Sequence, residues 1–316
     1  MSNALSPSQW QKIPEIIKYA TGKEVLVFEP ISIGVMTHKI LCKTEDNRKY
    51  IIRIYPRGRE NILESEVQII MRFRKIGLPA PNIITTSING PNIGLNYFVY
   101  PRIEGMMLSS YLNNIEKPKI DFISTQLINI FNKLSSLKIE NYGELVNGYK
   151  ANYHHWNEFI TDSIENGRDG FYNSDIFPKD RFKAIEKIII PNLNKSIKCD
   201  NHLIWGDTSI DNILVKKTGE ISGVIDFESC LSGPQNCTIG YFINTLTPRS
   251  GPHESLVDCL LKNIINKDEI YSFSVLRAYR LCRFINTPLP TGRKRDALID
   301  IFPGLKWASD FFINKL

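Results

Sequence analysis

The sequence predicts an α+β fold with two lobes, a small antiparallel sheet at the N-terminal end and a larger, mainly helical part after it. At 316 residues the chain is longer than a single compact core usually spans. Residues 25–55 alternate apolar and polar side chains as strands do, whereas after Gly105 apolar residues recur at three- and four-residue steps, as on one helix face. We expect residues 1–103 to form the first lobe and residues 104–316 the second.

The first predicted lobe has a leading helix, a sheet and one long helix that crosses it. Ser6 and Pro7 mark the start of the leading helix. The expected strands are VLVFEPIS, HKILCKT, KYIIRIY, NIITTS and LNYFVYPR. Residues 45–47 supply the turn between the second and third of them. The long helix, ENILESEVQIIMRFRKIG, has one apolar face, and Gly77 is its expected stop.

The second predicted lobe is helical apart from one hairpin. The expected helices are MMLSSYLNN, DFISTQLINIFNKLSSL, part of residues 150–172, residues 180–196 and a tail that runs to Leu316. Pro191 should kink or break the fourth of these helices. The hairpin is ILVKKTGEISGVID. A cleft between the two lobes is the expected place for a ligand.

Composition excludes several classes of protein. Hydrophobic content of 42% with 23% charged residues is ordinary for a soluble chain, and no apolar run approaches the ~20 residues of a membrane span. We expect no secretory signal, since no charged region leads into an apolar core at the N-terminal end. The six cysteines form no Cys-x-x-Cys pair, which favours reduced thiols in the cytoplasm. We expect a monomer or homodimer that contacts neither membrane nor nucleic acid, because the net charge of +6 is mild and its basic clusters lack interleaved aromatics.

The segments IWGDTSIDNILVK and GVIDFES carry the chemistry. They set Asp207, Asn212 and Asp226 against apolar runs, although buried carboxylates and amides cost free energy unless something pairs with them. Because Asp226 ends the strand that pairs with the strand after Asn212, their oxygens should meet at one hairpin end, where hard ligands suit Mg²⁺. Asp207, five residues before Asn212, can accept a hydrogen bond from a substrate hydroxyl. A plain turn with Asn212 as a cap explains any one of these residues but poorly explains all three.

These two segments resemble the catalytic and metal loops of the aminoglycoside phosphotransferase and choline kinase superfamily, whose fold is protein-kinase-like. The resemblance covers most of the chain and implies Asp207 as the catalytic residue and Asn212 and Asp226 as Mg²⁺ ligands. Arg53 falls where the family has its phosphate-binding Lys or Arg, on the strand face shared with residues 51 and 55. Glu66 falls at the helix glutamate that pairs with that cation.

Two more segments carry the resemblance. ISIGVMTHK resembles the loop that covers the nucleotide, with Gly34 and Thr37 nearest the phosphates. NYFVYPRIEGMML resembles the hinge between the lobes. The backbone groups implied to hold an adenine edge belong to Tyr100, Pro101 and Arg102. The resemblance thus implies a bilobal kinase-like enzyme that uses Mg²⁺ and ATP, or GTP, to phosphorylate a small-molecule hydroxyl.

Two features depart from the family pattern. The residue two before Asp207 is usually His and here is Trp205, which can support the loop by packing. After Asp226 the family commonly reads Gly-Asp-Pro with a further Asp three residues on, whereas SGPQNC has Gly233 and Cys237 at the two acidic positions. We expect these changes to affect loop stability and to leave the chemistry intact.

The acceptor is the least determined part. Asp162, Glu165 and Asp169 form a local acidic group, such as aminoglycoside-modifying relatives use for a cationic substrate, although acids of this kind are more often plain surface. After Cys230 the chain carries 11 Lys and Arg against 7 Asp and Glu, which argues mildly against a highly cationic acceptor. An antibiotic such as an aminoglycoside, an amino sugar or a related metabolite all fit. The alternatives are a metabolic kinase of choline, sugar or homoserine type and a catalytically silent kinase-like binding protein.

Overall fold

The computed structural model describes residues 5–31, 36–91, 94–113, 115–172, 179–195, 201–246, 251–262, 264–283 and 310. The strands are β1 (Val25–Ile31), β2 (His38–Thr44), β3 (Lys49–Tyr55), β4 (Thr85–Thr86), β5 (Asn96–Pro101), β6 (Met106–Met107), β7 (Tyr142–Asn147), β8 (Lys150–Tyr153), β9 (His202–Ile204), β10 (Ile213–Val215), β11 (Ile221–Val224) and β12 (Leu231–Gly233). The helices are α1 (Pro7–Gln11), α2 (Ile13–Thr21), α3 (Glu60–Lys75), α4 (Leu108–Leu112), α5 (Lys117–Ser135), α6 (Trp156–Tyr172), α7 (Lys179–Lys195), α8 (Cys237–Thr245), α9 (Pro252–Leu261) and α10 (Lys267–Cys282). This is the predicted α+β fold, with an antiparallel sheet first and a mainly helical part after it.

The first sheet has the order β1-β2-β3-β5-β4, and its pairs are antiparallel. The predicted turn joins β2 to β3, with Asn47 in the left-handed region at φ 64°. Asparagine tolerates that conformation better than most residues do. The resulting register sets Lys39 on β2 opposite Arg53 on β3. Two basic residues that are fourteen positions apart in the chain therefore start from neighbouring strands.

Strand β3 is buried on both faces, and this decides where Arg53 points. Ile52 and Ile54 belong to a core cluster that includes α2, whereas Ile51 and Tyr55 belong to the larger cluster that includes α3. Because side chains alternate along a strand, Arg53 lies on the face of Ile51 and Tyr55. The strand thus delivers a cation to the side on which α3 and the helical part pack, as predicted.

The helical part is arranged around α10, which packs against α6, α7 and α8. Glycine lets α6 come close: a Cβ added at Gly167 would lie 2.3 Å from the Tyr279 carbonyl oxygen, and one at Gly170 would lie 2.3 Å from that of Cys282. A larger residue at either position would push the helices apart. Twelve of the sixteen residues of α10 are buried, including Arg277 and Arg280. A helix in this position can present charged side chains from inside the core.

The hairpin of β7 and β8, which the sequence analysis missed, connects α3 to α10. Gly148 at its turn donates its N–H to Gln68 Oε1 over 2.8 Å and accepts a hydrogen bond from the Arg72 guanidinium at its carbonyl. At the other end, Glu144 forms an ion pair with Arg280 over 3.1 Å. Gln68 and Arg72 belong to α3, so one small hairpin contacts the helix that carries Glu66 and the helix at the centre of the second part.

Other elements differ from the prediction in instructive ways. Met106–Met107, predicted as helix, forms β6 because it pairs with β10, and a two-residue strand has no periodicity to reveal it. The predicted strand NIITTS shortens to Thr85–Thr86, where it meets β5. Helix α7 continues through Pro191 without a break, and Ile189 and Leu193 anchor it in the core on either side. Among the described helices, none is both long and apolar enough to cross a membrane. The predicted tail after residue 283, apart from Asp310, lies outside the described residues, and the boundary after residue 103 stays a prediction.

Candidate active site

The loop between β9 and β10 begins with a position that only glycine can fill. A Cβ added at Gly206 would lie 1.8 Å from the Ser229 carbonyl oxygen. Real Cβ atoms essentially never approach so closely, so any side chain here would displace one of the two loops. This contact holds the backbone immediately before Asp207 against the segment that follows Asp226. The two loops that the sequence singled out therefore pack directly on each other.

One end of the β10–β11 hairpin brings Asp207, Asn212 and Asp226 together. Ile225 N–H donates to the Asn212 carbonyl oxygen over 2.9 Å, which sets Asp226 beside Asn212 just after β11 ends at Val224. The Asn212 side-chain amide donates to the Asp207 carbonyl oxygen over 2.9 Å and to Asp207 Oδ2 over 3.2 Å. Since the NH₂ group of Asn212 is engaged in this way, its Oδ1 is the atom left to bind a cation.

Arg53 lies at the centre of an anionic cluster. Its Nη1 donates to Glu66 Oε1 over 3.0 Å, its Nη2 donates to Asp226 Oδ1 over 2.6 Å, and Glu228 Oε2 lies 3.2 Å from the same Nη2. The Arg53 side chain is only 3% exposed. Three carboxylates from α3 and from the Asp226 loop thus converge on one buried guanidinium. The predicted Arg53–Glu66 pair is present, and it reaches the predicted metal ligand directly.

Glu66 is held in place by donors on several sides. The Tyr55 hydroxyl donates to Glu66 Oε2, and the Phe227 backbone N–H donates to Glu66 Oε1 over 2.9 Å. Burial raises the pKa of Glu66 against the opposing effect of Arg53. Because every donor comes from a packed element, the carboxylate has little freedom to turn. Glu66 therefore fixes the direction in which Arg53 presents its second nitrogen.

Lys39 and Glu228 are cluster members that the sequence analysis missed. Lys39 Nζ lies 3.1 Å from Asp226 Oδ2, and Glu228 also pairs with Arg59 over 3.3 Å. Burial alone would raise the pKa of Asp226, but the charges of Arg53 and Lys39 outweigh it and lower that pKa. Burial raises the pKa of Glu228 to about 7. Counting residues from the predicted β2–β3 turn would have placed Lys39 next to Arg53, whereas nothing in the sequence marks Glu228 as buried.

The Asp207 carboxylate is also contacted by a cation from α10. Arg277 Nη2 donates to Asp207 Oδ1 over 3.2 Å, while Arg277 Nη1 donates to Asn244 Oδ1 over 2.9 Å. Asp207 itself keeps 37% of its side chain exposed, in contrast to 6% for Arg277. One oxygen of the Asp207 carboxylate is thus bonded to a buried partner, while part of the side chain remains exposed to solvent. Arg277 follows Asp207 by seventy residues, and no local sequence pattern connects them.

Trp205 occupies the position of the usual family histidine and supports both loops. It is fully buried, its Nε1 donates to the Asp226 carbonyl oxygen over 3.0 Å, and its ring centroid lies 5.5 Å from that of Phe227. The indole thus combines apolar packing with one hydrogen bond, as buried tryptophans usually do. The backbone beside Asp226 depends on this contact.

We expect Trp205→Ala to lower the unfolding free energy by about 3–5 kcal/mol, because it leaves a cavity and an unpaired Asp226 carbonyl. Trp205→Phe should keep part of the packing and lose less. Thermal unfolding measures the loss, and calorimetric nucleotide titration below the melting temperature should give an affinity close to wild type. Trp10→Ala, at a partly buried tryptophan stacked on Phe28, is the control with a smaller expected loss. Weaker nucleotide binding at unchanged stability would contradict this role.

The predicted hinge, residues 100–102, lies at the end of β5. Its backbone groups point alternately toward β3 and toward the opposite edge of the strand. Arg102 N–H donates to the Lys49 carbonyl oxygen over 2.9 Å, so it points toward β3. Antiparallel pairing alternates from residue to residue, which directs the Tyr100 N–H to β3 as well. The same alternation directs the carbonyl of Pro101, the last residue of β5, to the opposite edge, beyond Val99, at which β4 pairs. Of the predicted segment, the Pro101 carbonyl faces this edge. Ile103, two residues on, was not among the predicted groups, and the role of the hinge backbone toward an adenine edge stays a prediction.

The remaining predicted positions are less informative. Thr37 is buried just before β2, close to Lys39, and Gly34 lies outside the described residues. On α6, Asp162 is half-buried and Glu165 and Asp169 are exposed, on the side of the helix away from α10. Among the residues that the structure describes, no hydrogen bond or ion pair joins these three acids to the Asp207 loop. Their role in binding an acceptor stays a prediction.

Comparisons with known proteins agree on one group. The model of a phosphotransferase enzyme family matches residues 27–256. An aminoglycoside phosphotransferase APH(4)-Ia, a thermostable mutant solved in its apo form, has 14% identity and a TM-score of 0.66 over 96% of this chain and 99% of that one. Wild-type aminoglycoside 2'-phosphotransferase-IIIa, solved as a GDP complex, has 12% identity and a TM-score of 0.65 over 97% and 100%. Another APH(4)-Ia variant, at 13% identity, TM-score 0.66 and coverage of 95% and 96%, was solved with ADP and hygromycin B. Among curated protein sequences, none matches the chain.

Proposed function

We propose, from the premise that the chain belongs to the phosphotransferase enzyme family, that it transfers the γ-phosphate of ATP or GTP to a hydroxyl group of a small molecule. The observation that carries this proposal is the convergence of Asp207, Asn212 and Asp226 at one hairpin end, with Arg53 and Glu66 bonded to Asp226. A protein that only binds a ligand and catalyses no reaction would not require Asp207, Asn212 and Asp226 together. Residues 1–103 would form the nucleotide-binding lobe, and residues 104–316 would supply the catalytic and acceptor groups.

The donor set fits a magnesium ion. Asn212 offers an amide oxygen and Asp226 a carboxylate, and both are hard ligands of the kind that Mg²⁺ prefers. The Asp226 oxygens already attract two cationic side chains, Lys39 and Arg53, which shows that this point favours positive charge. Mg²⁺ bound there would neutralise negative charge on the nucleotide phosphates. Arg53, oriented by Glu66, would contact phosphate oxygens on the same side.

The transfer itself requires positioning more than covalent chemistry. The acceptor hydroxyl oxygen forms a bond to the γ-phosphorus, while the bond from that phosphorus to the β–γ bridging oxygen breaks and leaves the nucleoside diphosphate. Asp207, whose side chain is 37% exposed, orients the hydroxyl and accepts its proton, which then passes to solvent. Pro101 and Ile103 would hold the adenine or guanine edge of the nucleotide at the hinge. Each role falls on a group whose geometry is fixed by packed neighbours.

The acceptor that we propose is a hydroxylated antibiotic such as an aminoglycoside, an amino sugar or a related metabolite. Support comes from the aminoglycoside phosphotransferases of similar fold, one of which was solved with hygromycin B. Asp162, Glu165 and Asp169 would serve a cationic acceptor, although their side of α6 faces away from α10. We further propose a cytoplasmic monomer or homodimer.

A nucleotide-consumption screen tests the function. The purified chain is incubated with ATP or GTP, Mg²⁺ and one compound from a panel of hydroxylated antibiotics, amino sugars and small alcohols. A gain of one phosphate on the compound, detected by mass spectrometry, identifies the acceptor. Stoichiometric release of the diphosphate confirms the transfer. Absence of both acceptor phosphorylation and nucleotide hydrolysis across a broad panel would overturn the proposal.

Nucleotide binding should require Mg²⁺, and the Asp226→Ala variant should lose most of the nucleotide affinity that depends on the metal while keeping its fold. The substitution removes a carboxylate ligand and leaves Lys39 and Arg53 to repel the ion. Calorimetric titration of ATP and GTP with and without Mg²⁺ measures the effect. Glu220→Ala is the matched control, because Glu220 lies in the exposed turn of the same hairpin, paired only with Lys216 in the contacts described. Equal affinity with and without the metal in the wild-type chain would contradict the site.

A further inference from the structure

We infer that Arg277 is a positioning residue for phosphoryl transfer, which it serves by holding the oxygen of the Asp207 carboxylate that Asn212 does not contact. The inference rests on the proposed function and adds a residue from a helix outside the catalytic loop. Arg277 lies in the second half of α10, is buried, and reaches the loop through its guanidinium. Its guanidinium donates to Asn244 and to Asp207, and of these two residues Asp207 belongs to the proposed catalytic set, so we assign its effect to Asp207.

Each oxygen of the Asp207 carboxylate has its own donor. Arg277 Nη2 donates to Oδ1 over 3.2 Å, and the Asn212 amide donates to Oδ2 over 3.2 Å. The two donors come from different elements, α10 and the turn before β10. A carboxylate held at both oxygens cannot rotate freely about its terminal bond. Each oxygen still keeps a second acceptor site, which leaves room for the hydroxyl of an acceptor.

Arg277 is itself fixed before it meets Asp207. Its Nη1 donates to Asn244 Oδ1 over 2.9 Å, and the Asn244 amide nitrogen donates to both the carbonyl and the hydroxyl of Ser274 over 3.2 Å. Asn244 is fully buried at the end of α8. The planar guanidinium therefore bridges Asn244, which is held in place by Ser274, and Asp207. Lysine, which has a single flexible ammonium group, could not bridge both.

The energetic argument concerns placement. A reacting group that moves by about 1 Å can lose roughly 100-fold in rate, because the near-attack geometry is lost. Asp207 is more than one-third exposed, so water would otherwise compete for its oxygens and allow several orientations. A buried, charge-assisted partner holds one of them. The acceptor hydroxyl then meets a carboxylate that already points at it.

Arg280 provides a matched comparison on the same helix. It lies one turn beyond Arg277, is 8% exposed, and pairs with Glu144 on the β7–β8 hairpin over 3.1 Å. Arg280→Met and Arg277→Met each remove a buried guanidinium from α10 and leave one acid without that partner. Only Arg277→Met affects the acid proposed to orient the hydroxyl. A purely structural role would make the two variants behave alike.

The test uses the full chain with ATP and Mg²⁺, measured both with water as the acceptor and with the acceptor found in the screen. Arg277→Met should lower kcat by about 10- to 100-fold, with KM for ATP and calorimetric ATP affinity within about threefold of wild type. Arg277→Lys, which keeps the charge, should fall between, and it also serves if Arg277→Met does not fold. Arg280→Met should keep kcat within about threefold at a similar loss in melting temperature. In the Asp207→Asn background, Arg277→Met should cause no further loss.

Three results would overturn the inference. An Arg277→Met enzyme with wild-type kcat would show that Asp207 needs no such support. Equal losses of kcat in Arg277→Met and Arg280→Met, in proportion to their melting temperatures, would reduce the effect to general stability. Additive losses in the Asp207→Asn background would show that Arg277 does not act through Asp207. A wild-type chain that consumes no nucleotide overturns the proposed function itself and is recognised before any variant is made.

Discussion

Asp207→Asn is expected to lower turnover of the acceptor by about 10²–10⁴-fold, which is the range typical of a positioned acid–base group. The amide keeps the shape of the carboxylate but cannot take the proton of the hydroxyl. It also removes the negative partner of Arg277 and turns the bond from Asn212 into a contact with a neutral group. Affinity for Mg²⁺-nucleotide should stay near the wild-type value, because Asn212 and Asp226 are unchanged. Steady-state kinetics with the identified acceptor and calorimetry of nucleotide binding measure the two quantities.

Asp211→Asn is the control for this variant. Asp211 is an exposed acid in the same loop, and its described side-chain contact is with the Ser109 hydroxyl, outside the cluster. Its neutralisation should leave turnover within about twofold, as expected for a surface change. Unchanged turnover in the Asp207→Asn variant would contradict the proposed mechanism, in which Asp207 accepts the proton of the hydroxyl. Lost nucleotide affinity would instead assign Asp207 to the metal ligands.

Arg53→Met is expected to lower the unfolding free energy by about 3–5 kcal/mol, because breaking a buried ion pair leaves charge without compensation. Arg53 neutralises Glu66, Asp226 and Glu228 at once, and all three are nearly inaccessible to solvent. Turnover should also fall steeply, since the cation proposed to hold the phosphates is gone. Denaturant unfolding and steady-state kinetics measure the two effects. Arg48→Met, at a 75% exposed arginine in the turn before β3, should change stability by no more than about 0.5 kcal/mol.

Glu66→Gln should act in the same direction and more mildly, since the remaining acids still hold Arg53. In the double variant, the loss should be smaller than the sum of the two single losses, because one buried network is damaged twice. Strict additivity in this cycle would show that Arg53 and Glu66 do not work as a unit. The coupling energy would also report how much of the orientation of Arg53 depends on α3.

Local patterns in the sequence were sufficient for much of this architecture. Alternation predicted β2 and β3 to the residue, and the same face that carries Ile51 and Tyr55 carries Arg53. Periodicity predicted α3, and the family resemblance identified Glu66 on that helix. These elements are long enough, or repeat strongly enough, for one physical signal to dominate. The proximity of Asn212 and Asp226 followed from hairpin geometry alone.

Long-range packing accounts for what the sequence did not reveal. Arg277 approaches Asp207 because α10 is buried next to the loop between β9 and β10, whereas arginines on a helix are ordinarily expected at the surface. In the sequence, Glu228 resembles any exposed acid, whereas in the structure it is buried between Arg53 and Arg59. The β7–β8 hairpin lacks a clean alternation, and its register is irregular at two places. In each case the deciding interaction joins distant segments, which no local pattern can encode.

The partners of Arg53 become available at very different times during synthesis. Glu66 lies 13 residues from Arg53, whereas Asp226 lies 173 residues away. At translation rates of about 5–20 residues per second, the nascent chain has Glu66 within about 3 s but waits roughly 10–35 s for Asp226. During that interval, Glu66 is the acid near in sequence that can neutralise the cation on β3. We therefore expect the Arg53–Glu66 pair to form while later parts of the chain are still being synthesised, so that the cation on β3 is neutralised before Asp226 is available.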